Sequence, residues 1–154
     1  MYHPFAAADS DDPNEEYVEL KNIGTESINL NLVSFTNGID FIFPNTELAP
    51  SQYVVVVEDI STFEAKYGGG IDIAGKYSGK LDNNGERIRL EDAIGQPVLD
   101  FSYKDGWFDI TDGEGFSLTI IDPAEPNRDG WSQKDSWRPS AYIGGSPGTD
   151  DNSP

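Results

Sequence analysis

The 154-residue chain contains no cysteine, one histidine and one methionine. Missing thiols exclude disulfides, thiolate metal centres and cysteine nucleophiles, but they leave the compartment open, because many exported bacterial proteins also do without cysteine. The one histidine, His3, sits in a terminal segment and reads as an exposed or edge-strand residue, which leaves little for acid–base catalysis. Cations are scarce too: 10 Lys plus Arg stand against 28 Asp plus Glu, a net charge of −18. That balance offers no stripe able to neutralise phosphates, so direct nucleic-acid binding is not expected. No apolar run approaches the roughly 20 residues of a membrane span, and the first residues lack the basic and apolar regions of a signal peptide. G-x-S-x-G, a phosphate-cradling Gly-rich loop and H-E-x-x-H are all absent. No catalytic residue is therefore assigned, and the chain is expected not to be an enzyme.

What is present describes a folded domain. Aromatics make up 12 % of the chain and hydrophobics 36 %, too aromatic for a disordered acidic segment yet lean enough to imply a thin core under a polar surface. The length suits one domain, expected to be monomeric. Helix-period patterns are nearly lacking, whereas alternating or β-branched runs recur with Gly, Asn, Asp and Pro between them, the pattern of a β-sandwich or barrel. Tyr17 to Lys21, with Val18 and Leu20 on one face, reads as a half-buried strand, and Ile28 to Leu32 as a second. Ile39 to Phe43 follows, closed by Pro44. Tyr53 to Val57 is continuously apolar and reads as a central strand buried on both sides. Arg87 to Glu91 and Val98 to Phe101 form a hairpin across Ala93 to Gln96, and Phe116 to Ile121 is a late strand. Asn37-Gly38 and Asn84-Gly85 supply the positive φ of tight turns. Val54, Val56, Leu90, Phe101 and Leu118 are the expected core.

One short helix is predicted over Thr62 to Tyr67, capped by Ser61 with Glu64 and stopped by Gly68-Gly69-Gly70, plugging one end of the sandwich. Asp122 to Asp135 reads as a long surface loop. The expected domain covers residues 1–143. Residues 144–154 form a flexible acidic Gly/Ser/Pro tail too poor in apolar groups to order itself.

Five blocks in order resemble the lamin-tail domain, an immunoglobulin-like module of nuclear lamins and of many bacterial and archaeal proteins. Tyr17-Val18-Glu19-Leu20-Lys21-Asn22 is similar to its opening. Asn37 to Pro44 with Leu48-Ala49-Pro50 and Tyr53 to Val56 resembles its central block, although Ser51 stands where the family usually places glycine. Gly79 to Glu86 with Ile88 and Leu90 looks like its hairpin, and Asp112 to Leu118 and Trp137 to Gly148 complete the resemblance. Met1-Tyr2-His3-Pro4 looks like the end of the family's first strand, whose upstream part would then be missing. The resemblance implies an antiparallel β-sandwich acting as a non-catalytic interaction or spacer module. By family analogy this belongs to a larger exported or surface-attached protein, with a protein or cell-surface polymer as partner. The alternative it leaves is an accessory domain that targets substrate for a secreted nuclease or other hydrolase.

Three groups of residues invite a chemical reading. Asp9, Asp11, Asp12, Asn14 and Glu15 gather the hard oxygen ligands that calcium prefers, but without the Gly and bidentate Glu positions of an EF-hand. The expectation is a solvated charge run and no resident cofactor, with calcium as the alternative; Asp122, Glu125, Asn127 and Asp129 are a weaker set of the same kind. Asp109 with Asp112 could mimic a glycosidase pair, which chance alone explains among 28 acids. Trp107 and Trp131, lying in loops, are either an aromatic binding platform or packing residues, whereas Trp137 is expected in the core.

Overall fold

The structure is a computed structural model that describes residues 1–5 and 14–152. Twelve strands are described: β1 (Tyr17–Lys21), β2 (Ile28–Asn29), β3 (Ser34–Asn37), β4 (Ile39–Ile42), β5 (Glu47–Leu48), β6 (Tyr53–Val57), β7 (Ile73–Lys76), β8 (Ser78–Gly79), β9 (Arg87–Glu91), β10 (Pro97–Ser102), β11 (Phe116–Ile120) and β12 (Trp137–Ile143), with one helix, α1 (Ile60–Tyr67), between β6 and β7. A five-stranded sheet in the order β10-β9-β3-β4-β8 and a three-stranded sheet in the order β1-β6-β7 form the two layers; β11-β12 and β2-β5 are separate pairs. All pairings are antiparallel except β6 with β7. That exception has a cause: α1 carries the chain back to the starting end of β6, so the next strand runs parallel to it.

The main core lies between the layers. Val54 and Val56 of β6 meet Phe35, Ile39, Phe43 and Leu90 there, while Phe101 and Leu118 are half-buried at its margin. Val55 and Val57 point to the other side of the same strand, where they pack with Met1, Tyr17 and Phe63. The unbroken valine run thus reflects burial on both faces. Helix α1 covers the outer face of the three-stranded sheet through the fully buried Phe63, instead of plugging an end of the sandwich. Its N-cap is Asp59, whose carboxylate accepts the Thr62 N–H at 2.9 Å, and not Ser61. Asp is as good a cap as Ser, and capping two residues earlier lets Ile60 and Ser61 join the first turn. Gly68 ends the helix with φ +79, donating its N–H to Glu64 O at 2.8 Å.

Two loops hold more order than their composition suggests. Within 122–135 the chain makes short 3-10 turns, and Trp131 enters the main core against Phe101 and Trp137. Residues 144–152, expected as a free tail, fold back on the domain: Gly144 O accepts hydrogen bonds from the hydroxyls of Tyr17 (3.1 Å) and Tyr67 (2.7 Å), Gly148 N–H donates to Glu19, and Asp150 and Asp151 pair with Lys21 and Arg138.

Candidate functional site

An open feature of the fold is a slot between β1 and β11. Hydrogen bonds at either end of β1, from Glu58 N–H to Glu16 O (3.0 Å) and from Asn22 N–H to Gln52 O (2.9 Å), set its register against β6. Bonding therefore alternates, and the backbone groups of Tyr17, Glu19 and Lys21 turn away from β6. Tyr17 uses its pair with Met1, exchanging N–H and C=O in both directions at 3.0 and 3.2 Å. Glu19 and Lys21 present theirs to the slot. On the other side, Ile121 N–H bonds Ser136 O at 2.9 Å, which fixes the β11–β12 register and turns the backbone groups of Leu118 and Ile120 away from β12. Pro139, which has no N–H to give, stands opposite Leu118, as that phase requires.

The slot opens into a cavity of about 690 Å³ with a predominantly apolar lining that includes Val18, Leu20, Phe35, Leu90, Leu118 and Ile120. Its outer side is bridged by 144–151, which reaches from β12 to β1 through the contacts of Gly144, Gly148 and Asp150. Gly145 makes this crossing possible: its φ is +77, and a Cβ there would lie 2.2 Å from both Tyr17 Oη and Ser117 Oγ. Burial lifts the Glu19 carboxyl to about 7, against the opposing effect of the Gly148 N–H that it accepts.

Beside the slot sits a buried carboxylate. Glu16, 5 % exposed, accepts Tyr77 O–H and Leu81 N–H, both at 2.9 Å. Desolvation raises its pKa to about 7; the two hydrogen bonds work against that rise and the charge of Glu58 adds to it. Glu58 is itself raised by burial, and its Oε2 has no hydrogen-bond partner among the described residues. Desolvation lowers the buried Met1 amine to about 5, with Glu16 and Glu19 opposing. In the sequence Glu16 directly follows the acidic run that ends at Glu15. Period-two alternation already places it on one face with Val18 and Leu20, and that was the available signal.

The sequence-derived candidates scatter. Asp9, Asp11 and Asp12 lie outside the described residues. Asp122, Glu125 and Asn127 each accept a backbone N–H two residues on, so their oxygens serve their own loop. His3 Nδ1 lies 2.6 Å from Asp112 Oδ1 on the surface, and Asp109 is exposed. Trp107 and Trp131 are 8 % and 7 % exposed and belong to the main core, so they form no open aromatic platform; Trp137 is buried as expected and donates its indole N–H to Trp131 O at 2.6 Å.

No helix among the described residues is long and apolar enough to cross a membrane. The family model of the lamin tail domain matches residues 5–105, which takes in β1 to β10. The blocks from Asp112 onward lie beyond that match. No curated protein matches the chain.

Proposed function

The chain belongs to the lamin tail domain family, and from that premise we propose that it is a non-catalytic interaction module of a larger exported or surface-attached protein. The observation that carries this reading is the contrast between the slot and the acid–base groups. The slot offers a predominantly apolar lining, which suits binding more than acid–base chemistry. The groups that could do chemistry are held within the fold: Glu16 accepts Tyr77 O–H and Leu81 N–H, His3 is paired with Asp112 outside the cavity, and Glu19, beside the cavity, accepts the Gly148 N–H. A general base must reach a substrate proton directly or through one water; Glu16 and His3 do not line the cavity, and Glu19 stands there without a second acid–base group assembled beside it among the described residues. The charge of −18 supports a partner other than nucleic acid.

Purified protein is assayed for turnover of DNA, RNA and soluble polysaccharides, alongside the Glu16→Gln and Asp112→Asn variants. The reading expects none. Turnover abolished by either substitution would overturn it. Fractionation of the source cells tests the second half: the protein is expected outside the cytoplasm, and recovery only from the cytosol would contradict export.

A further inference from the structure

We propose that Asn37 is a site of spontaneous covalent modification, where the backbone nitrogen of Gly38 closes on the side-chain carboxamide, expels ammonia and leaves an aspartyl or isoaspartyl residue in the β3–β4 turn. The sequence holds two Asn-Gly pairs, Asn37-Gly38 and Asn84-Gly85. Glycine after asparagine favours the reaction, because it carries no Cβ to obstruct the approach of its own nitrogen. The fold treats the two pairs differently. Asn37 is exposed at the end of β3, and neither its carboxamide nor the Gly38 N–H makes a hydrogen bond among the described residues. Asn84 is exposed too, but its turn is closed around it. Asp82 Oδ1 accepts both the Asn84 N–H (2.8 Å) and the Asn84 carboxamide N–H (3.0 Å), and the Gly85 N–H donates to Asp82 O at 3.0 Å. Reaction at Asn84 must first break these bonds, whereas at Asn37 neither reacting group has one to break.

The step balances with water as the sole co-reactant. Gly38 N gives its proton to solvent base and bonds to Asn37 Cγ; the Cγ–Nδ2 bond breaks, and that nitrogen leaves, protonated, as ammonia. Water then opens the resulting cyclic imide at either carbonyl. One opening restores the normal chain with a carboxylate at position 37. The other routes the chain through the former side chain, an isoaspartyl link with an extra backbone methylene. Nothing is oxidised or reduced. The surroundings distinguish the two products. β3 pairs Asn37 with Arg89 and Phe35 with Leu90, across a register shift that is already present, and Phe35, Ile88 and Leu90 belong to the main core. Gly38 sits at φ +85, with the place of a Cβ 2.5 Å from Ile88 Cδ1 and 3.1 Å from Arg87 O. The same close approach that demands glycine at 38, and so maintains the reactive pair, leaves no room for a lengthened backbone. The aspartyl product adds only a charge at an exposed position. The isoaspartyl product must push Gly38 off Ile88 or slide β3 along β9.

The test incubates the 154-residue protein in heavy-oxygen water at mildly alkaline pH, folded and in urea, and maps the incorporated oxygen after trypsin digestion in ordinary water. Asn37 and Asn84 fall in separate tryptic peptides, residues 22–66 and 81–87. In urea both peptides are expected to gain label at similar rates. In the folded protein the peptide carrying Asn84 should label at least about tenfold more slowly than the one carrying Asn37, since its turn must open first. Folded protein that leaves peptide 22–66 unlabelled while the urea sample converts fully would overturn the proposal, as would equal rates at the two sites in the folded state. Because peptide 22–66 holds other asparagines, the variant Asn37→Ser is run beside it: its label should vanish, and persistence would assign the reaction elsewhere and overturn the proposal. The product argument is tested by urea unfolding of the isoaspartyl fraction, separated by chromatography, against the variant Asn37→Asp, which has the same charge on a normal backbone. The isoaspartyl form should unfold at the lower urea concentration, and coincident midpoints would overturn the packing argument at Gly38. None of these readouts involves a partner or turnover, so failure here is distinct from failure of the interaction-module reading.

Discussion

Replacing Glu16 with Gln isolates the energetic consequence of burying a carboxylate beside the slot. Its folded pKa of about 7 lies above the ordinary 4.5, and burial is the main cause. With a raised folded value, the folded state holds the proton more tightly than the unfolded state. The stabilisation is complete below about pH 4.5 and is lost as pH rises through 7. At about 1.36 kcal/mol per pH unit, that rise corresponds to about 3 kcal/mol. Gln keeps an oxygen to accept Tyr77 O–H and Leu81 N–H but never ionises. At pH 4, where Glu16 is protonated, wild type and variant should unfold at nearly the same denaturant concentration. At pH 9 the variant should be more stable by about 2–3 kcal/mol, roughly 4–12 °C in melting temperature for a chain of this size. Urea titrations with tryptophan fluorescence at both pH values measure the difference directly. Glu19 titrates in the same window but is common to both proteins, so it cancels in the comparison. A variant less stable than wild type at pH 9 would refute the reasoning, because it would mean that Tyr77 and Leu81 stabilise the charged form by more than burial costs it.

Further substitutions test local structure. Ser51 sits at φ +65, so Ser51→Gly should stabilise the chain by about 0.5–1 kcal/mol in thermal unfolding, despite the flexibility glycine adds to the unfolded state. Asp59→Ala should cost about 1 kcal/mol through loss of the helix cap and Ser61→Ala almost nothing; the reverse order in chemical denaturation would return the cap to Ser61. Gly145→Ala should cost about 2–4 kcal/mol and weaken amide protection at Gly144 and Gly148, since its Cβ would displace Tyr17 and Ser117.

Much of the sandwich was legible because its strongest signals are local. Val54 to Val57 announced a doubly buried strand, and the two turn dipeptides delivered positive φ at Gly38 and Gly85. Ser51, standing where the family usually places glycine, adopts a left-handed φ of +65. What escaped depends on segments far apart in the chain. Trp131 lies among polar loop residues, and only Phe101 and Trp137 make its place a core one. The final segment has almost no apolar groups to bury; its order comes from paired charges and backbone bonds to Lys21, Glu19 and Arg138, which composition does not reveal. The slot escaped for a related reason: its two edges are about 100 residues apart in sequence and become one surface only when Tyr17 meets Ser117.

Amide hydrogen exchange resolved along β1 and β11 tests the central claim most directly. In the free protein the account predicts a period-two pattern: Val18, Leu20 and Thr119, bonded to β6 or β12, exchange slowly, while Glu19, Lys21, Leu118 and Ile120 exchange fast. Uniform protection along both strands would contradict the account.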